Sequence, residues 1–404
     1  MSRAAGVRRR SLETVVRPTF LSLFSGIGGL DLGLESAGFQ LVGSVETDEV
    51  ARRSLKANRG DGWYQIPPHD IRALAQTLEP ADLGLEIGDL DLIAGAPPCQ
   101  PFSKAAQWSQ TSRTGLKDDR GTLVSDVLEL VAAFQPKVVL LENVAGFVRG
   151  PTSALSFIED SLEELNVATG HEYEAAWEIL NANWYGVAQA RKRAIVVLSR
   201  IGKIGWPEPM ATEVRPVAWD AIGGLEDPEA KMLESGGHYG SLLPSIPEGQ
   251  NYQWHTERGG GLPLFGYRTR YWSFLLKLAK GQPAWTIAAQ PGPSTGPFHW
   301  DSRPLTVQEM LLLQSFPVDW RVEGNRREQV RQIGNATPPA LAERIGAQLA
   351  AGLGHASRTP ALGHQRAGDV PPPERLRSVP KKYYSLYGDH PPHPGAGLGP
   401  SPRT

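Results

Sequence analysis

Thr19-Phe-Leu-Ser-Leu-Phe-Ser-Gly-Ile-Gly-Gly29 decides how this chain begins to fold. Residues 19–25 alternate and are apolar, as in a strand, and the glycines after them run into a helical pattern at Ile27, Leu30, Leu34 and Ala37. A strand, glycine turn and helix of this kind lets a ligand approach the backbone and points helix N-terminal amides at it. The turn departs from the dinucleotide fingerprint GxGxxG, because Asp31 stands at its third glycine, and a nicotinamide cofactor is disfavoured. A second strand, Gln40 to Val45, ends in Glu46-Thr47-Asp48. Glu46 lies twenty residues after Gly26, the spacing at which an acid takes ribose hydroxyls. His69-Asp70-Ile71 then precedes another helical stretch, and chain order brings Asp70 toward the adenine end of the same ligand.

Working outward, the apolar run Leu90 to Ala94 reads as a buried parallel strand, and it delivers Gly95-Ala-Pro-Pro-Cys-Gln-Pro-Phe-Ser103 to the edge of the sheet. Cys99 is the only cysteine in 404 residues. A lone cysteine is most often a small buried hydrophobe, but prolines 97, 98 and 101 and polar neighbours describe a stiff exposed loop and a candidate nucleophile. Trp108 to Asp119, polar and rich in Ser, Thr and Lys, reads as a lid. A helix from about Gly121 with Leu123, Val127, Leu130, Val131 and Phe134 on one face stops at Pro136, and the strand Val138–Leu141 ends in Glu142-Asn143-Val144. A carboxylate at the mouth of a buried strand is costly unless it is paired or used. After a mixed helical stretch, Gln189-Ala-Arg191-Lys-Arg193 leads into the apolar strand Ala194–Leu198.

Composition sets the limits. A hydrophobic content of 40% supports a sizeable core, and a formal net charge of −2 gives no global sign of a polyanionic partner. One cysteine excludes an internal disulfide framework and a Cys-based zinc cluster, and no metal is implied. No apolar run approaches a membrane span and residues 1–10 lack the apolar core of a signal peptide, so the expected location is the cytoplasm, with the nucleoid.

Together these stretches resemble the C5-cytosine DNA methyltransferases, from Phe20 to about Ala350 and in the family's order. Phe24-Ser25-Gly26-Ile27-Gly28-Gly29 is similar to its S-adenosylmethionine loop, Glu46 to its ribose acid, Pro97-Pro-Cys-Gln100 to its nucleophile loop and Glu142-Asn-Val144 to its Glu-Asn-Val element. Gln189, Arg191 and Arg193 match its Gln-x-Arg-x-Arg pattern, Arg303–Glu309 the element after the recognition region, and Gln332-Ile-Gly-Asn-Ala336 the closing one.

The resemblance implies an α/β fold: a Rossmann-like S-adenosylmethionine-dependent domain with a smaller inserted target-recognition domain. It implies Cys99, Glu142, Arg191 and Arg193 as catalytic residues, and Phe24, Ser25, Gly26, Gly28, Gly29, Glu46, Thr47, Asp70, Ile71 and Asn335 around the cofactor. Gln189 and Ser103 are implied on the DNA. The substrate is then a cytosine flipped out of double-stranded DNA, and the enzyme a monomeric protective methylase linked in function to a restriction endonuclease. A transfer-RNA methyltransferase on the same fold is the rival reading, disfavoured by an insert of about a hundred residues. A silent DNA-binding relative is disfavoured by retention of the whole catalytic set, and an amino-methylating enzyme needs no thiol.

The expected organisation is a basic tail over 1–18, a catalytic domain over 19–200, recognition over 201–302, a return to the catalytic domain over 303–352, and a disordered tail over 353–404 holding ten of the 34 prolines. Residues 201–250 carry eight acids against three bases, whereas 251–300 carry only Glu257 against Arg258, Arg268, Arg270, Lys277 and Lys280. The second half is therefore the expected DNA face, with Arg258, Arg268 and Arg270 on bases and the two lysines on phosphate.

Overall fold

The computed structural model describes residues 17–98, 122–150, 153–234, 237–268, 271–356, 358–366 and 368–388. Cys99, Ser103, Arg270, the expected lid and the tail beyond residue 388 lie outside them. In chain order the elements are β1 (Thr19–Leu23), α1 (Gly29–Ala37), β2 (Gln40–Val45), α2 (Glu49–Arg59), α3 (Ile71–Leu74), β3 (Leu92–Gly95), α4 (Thr122–Phe134), β4 (Val138–Asn143), α5 (Leu155–Thr169), β5 (Glu174–Asn181), β6 (Gln189–Ala190), β7 (Lys192–Ser199), α6 (Ala218–Ile222), β8 (Ala284–Trp285), α7 (Val307–Leu313), α8 (Arg326–Asn335) and α9 (Pro339–Gly352).

β1, β3 and β4 are almost wholly apolar because helices cover both faces of the sheet. The strands form one six-stranded sheet in the order β2-β1-β3-β4-β7-β5. The first four are parallel, and β7 runs antiparallel to β4 and β5. The chain passes from β1 to β2 on one side and returns to β3 on the other. This reversal opens a crevice at the C-terminal ends of β1 and β3, where α/β sheets bind ligands. The sheet carries the Rossmann-like α/β class that the family resemblance implied.

One face packs on α3, α4 and α5 through residues such as Leu74, Val127, Leu130, Phe134 and Ile158. The other packs on α1 and α9 through Leu34, Phe39, Leu341, Ile345 and Leu349. Here α9 returns the far end of the chain to its beginning, with Leu341, Ile345 and Leu349 on the buried face, as their spacing implies. The two helices approach so closely that a Cβ on Gly33 would lie 2.4 Å from the Ala342 methyl. A third cluster knits Ile27, Leu55 and Trp63 to Ile222, Ile287, Trp300, Met310 and Ile333. The inserted region holds a core of its own around Leu242, Leu243, Tyr252, Leu264, Leu275 and Phe298.

Two expectations fail here. Glu174–Asn181, read as part of a mixed helical stretch, is the edge strand β5, paired along its whole length with β7. The tail is not disordered over its described part but runs as a strap across the molecule. The amides of Ala361 and Leu362 donate to the Glu343 carboxylate on α9 (2.8 and 2.9 Å), and His364 N–H donates to Gly186 O (2.7 Å). Farther on, Arg377 N–H donates to Pro244 O (2.9 Å), and the Tyr383 hydroxyl, buried in the insert's core, donates to His238 O (2.6 Å). An extended, proline-rich strap ties down by backbone amides and single anchors, so it shows no apolar period.

Candidate active site

At the end of β1 the chain must turn at once into α1, and it does so with left-handed backbone at Phe24 (φ 55°), Gly26 (φ 55°) and Gly28 (φ 81°). A Cβ on Gly28 would stand 2.3 Å from the Trp63 ring, and one on Gly29 would stand 2.1 Å from the Thr337 carbonyl oxygen. Gly26 differs, because a Cβ there would meet nothing within 4 Å among the described residues. The loop is thus packed from behind and open in front.

Glu46 follows β2 and reaches back to this loop. Its carboxylate accepts from the amides of Gly26 (2.7 Å) and Asp48 (2.8 Å). Burial raises its pKa, and those two bonds oppose the rise. Asp48 caps α2 by accepting from Val50 and Ala51 and pairs with Arg331 of α8. Desolvation pushes its carboxyl up, but the Arg331 and amide bonds outweigh it and hold the pKa below the usual value. This pair draws α8 toward the end of β2 beside the glycine loop. Asn335, exposed at the last turn of α8, precedes the Thr337 carbonyl that lies against Gly29, so the closing motif meets the first one. Thr47 is exposed, Asp70 caps α3 through Arg72 N–H (3.0 Å), and Ile71 is buried beneath it. The open face at Gly26, loop amides and a carboxylate after the second strand fit a nucleoside carrying a diol.

Glu142, at the end of β4, is buried, and its Oε1 stands 2.8 Å from Arg193 Nε on β7. The antiparallel β4–β7 register places Glu142 opposite Ile195, so the acid and the arginine come from neighbouring strands. Next to it, the Asn143 side-chain amide donates to Pro97 O (3.0 Å) and its carbonyl accepts from Val144 N–H (2.8 Å). This bond holds the loop that leads to Cys99, two residues beyond Pro97. Sequence reasoning passed over Asn143. Its signal was a proline loop whose carbonyls need a donor from elsewhere.

The Gln-x-Arg-x-Arg stretch divides. Arg193 joins Glu142, but Arg191 does not enter the pocket. Its guanidinium is buried against the backbone carbonyls of Gly334 (2.8 Å), Ala336 (3.0 Å) and Ile287 (3.5 Å). It fastens the closing motif and the end of the insert to the segment between β6 and β7, which is a positioning role. Gln189 is fully buried, paired through its backbone with Ala284, and its amide finds no partner among the described residues. It lies beneath the surface on which a DNA contact was expected.

In the insert the charge count misleads. Lys277 is buried with its ammonium against the carbonyls of Ile246 (3.2 Å) and Leu243 (3.4 Å), and burial lowers its pKa. Lys280 is buried in an ion pair with Glu248 (2.7 Å). Neither reaches phosphate. Arg258 is exposed, stacked 3.7 Å over the Tyr267 ring, and Arg268 lies half-buried 5.6 Å over Tyr271. Beside them Trp272 and Trp285 are exposed and contact each other at 4.8 Å, and Trp285 is in register with Ala190 of β6.

A fold of this class, with a glycine loop, a second-strand acid and a buried Glu–Arg pair at one sheet edge, is that of a methyltransferase. The model of the C-5 cytosine-specific DNA methylases matches residues 18–351, and the chain belongs to that family. It is a DNA (cytosine-5-)-methyltransferase. Type II methyltransferase M.SacI of Streptomyces achromogenes is 35% identical over 83% of this chain and 93% of its own length. Type II methyltransferase M.Sau96I of Staphylococcus aureus is 30% identical over 81% and 74%. Among solved structures, the Dnmt2 methyltransferase of S. pombe superposes with a TM-score of 0.58 at 17% identity, over 83% of this chain and 99% of that one. A putative DNA modification methyltransferase from an E. coli prophage gives 0.57 at 22%, over 84% and 100%. At these identities the structures share the fold.

Proposed function

We propose that the protein methylates C5 of a cytosine flipped out of a specific double-stranded DNA sequence, as the protective methylase of a restriction-modification system. The observation that carries the chemistry is the buried Glu142–Arg193 pair beside the loop leading to Cys99. Cys99 Sγ attacks C6, and Glu142, on the base's Watson–Crick edge, bonds or protonates N3 and accepts from the 4-amino group, so negative charge does not collect on the ring. Arg193 holds O2. Glu46 and the open loop at Gly26 would hold S-adenosylmethionine, which would supply the methyl group. Loss of the C5 proton and β-elimination then release Cys99. Because C6 is stacked inside a duplex, the base must leave the helix to be reached.

Restriction-modification pairing is supported by the relatives, which carry Type II methyltransferase names. Arg258 and Arg268 are the proposed base contacts, joined by the exposed Trp272 and Trp285 beside β6. The test is Cys99→Ser with DNA carrying 5-fluorocytosine. Wild type should be trapped covalently, since fluorine does not leave as a proton does, and the serine variant should neither trap nor turn over. Turnover by the variant above a tenth of the wild-type rate refutes the nucleophile. Bisulfite sequencing of DNA from expressing cells reads the target context.

A further inference from the structure

Asp31 is the odd residue of the glycine turn. It is completely buried on the first turn of α1. Its Oδ1 lies 2.5 Å from Ser22 Oγ of β1, and Ser22 Oγ lies 2.8 Å from Ser25 Oγ in the cofactor loop. Its second oxygen, Oδ2, is buried with no hydrogen-bond partner among the described residues. No ion pair to Asp31 is formed among those residues either. The charges acting on it are Glu35 of its own helix and Glu46 after β2, both acidic. Helix α9, packed on α1, carries Glu343 and Arg344, and Glu343 is taken by Ser36 and the strap amides. β3, on the other side of β1, carries no titratable side chain.

These contacts form a relay whose direction depends on one proton. A carboxylate only accepts, so an ionised Asp31 makes Ser22 donate to it; Ser22 then accepts from Ser25, whose hydroxyl turns inward and shows lone pairs to the site. A protonated Asp31 can donate to Ser22 and reverse the chain, leaving the Ser25 proton free to point outward. The ionised form also places a buried negative charge that no described residue neutralises by an ion pair. We propose that Asp31 is a titratable positioning residue that acts through Ser22 and Ser25, its ionised form favouring the cationic sulfonium cofactor over the neutral thioether product. Burial raises the Asp31 pKa to about 7, which places its titration near neutral pH. The inference rests on the family's use of S-adenosylmethionine.

The test is equilibrium binding of S-adenosylmethionine and S-adenosylhomocysteine to the full-length protein at pH 6, 7 and 8. Both ligands carry the same α-amino and carboxylate groups, so their affinity ratio isolates the sulfonium. In wild type the ratio should rise by about threefold or more toward pH 8, a modest linkage between two sites. In Asp31→Asn it should stay flat, and in Ser22→Ala, which keeps the acid and cuts the relay, it should flatten as well. Calorimetry of wild type in buffers of different ionisation enthalpy should show more protons released with the sulfonium ligand, a reading that needs no variant to fold. Equal proton release, or a wild-type slope surviving in Asp31→Asn, overturns the proposal. A slope lost in Asp31→Asn but kept in Ser22→Ala overturns the relay. Absence of binding by either ligand at every pH breaks the cofactor reading instead.

Discussion

The sheet edge and the inserted region both collect charged residues, yet charge means different things in the two. At the sheet edge Glu46, Glu142 and Arg193 end or begin strands in the crevice, and each is turned toward the site or a partner in it. In the insert, two of the four described bases between 251 and 300 are internal struts: Lys277 closes carbonyls and Lys280 balances Glu248. A strand has two faces and one C-terminal end, so position in sequence fixes where a side chain goes. A loop-built domain has no such period, and counting its charges says little about where they face.

The strongest challenge to this contrast sits at the sheet edge. Glu142→Gln should slow single-turnover methylation by about a hundredfold or more, the range for a lost general acid, with DNA binding little changed. An unchanged rate would make Glu142 structural. Arg191→Ala should separate from the double variant Arg193→Ala/Glu142→Gln, which strands no buried charge: the first lowers the melting temperature by several degrees and activity with it, whereas the second costs activity in a protein of near-normal stability. Equal melting temperatures would erase the division of the motif.

The strap comes next. Ending the chain at residue 356 should lower the melting temperature by several degrees, because it removes the Glu343, Gly186 and Pro244 bonds and uncovers the core that Tyr383 fills. Ending it at residue 388 keeps every one of these contacts, and equal melting of the two truncations would show that the strap adds nothing.

In the insert, Lys280→Ala should destabilise the fold and leave the salt dependence of DNA binding unaltered, since it strands the buried Glu248 carboxylate. Arg258→Ala should do the reverse, either costing about 1–3 kcal/mol at the target with one base position relaxed, or lowering the salt slope by about one if it meets phosphate. No effect of Arg258→Ala on either measure removes it from the interface.

Asp31 also ties stability to pH. A buried acid whose folded pKa is raised binds a proton that the unfolded chain has lost, so its contribution favours folding at low pH and fades as pH rises from about 4 to about 7. Melting of wild type should therefore fall more across this window than melting of Asp31→Asn. Parallel curves would show that Asp31 stays ionised in the fold.

By itself the sequence determined the buried strands, the glycine loop, Glu46, the mouth of β4 and the apolar face of α9, because apolar periods and strand ends are local signals that burial enforces; the return of α9 to the first domain was implied by the family resemblance. Tertiary structure alone decided the rest. Glu174–Asn181 has helix-compatible residues and became a strand because β7 offered it an open edge. Arg191 and Arg193, two residues apart, parted because the first meets carbonyls contributed by residues 287, 334 and 336, far along the chain. The strap is ordered by partners it does not contain: Glu343, Gly186, Pro244 and His238. A contact made with a distant segment leaves no period in the segment that makes it, so only the folded chain reveals it.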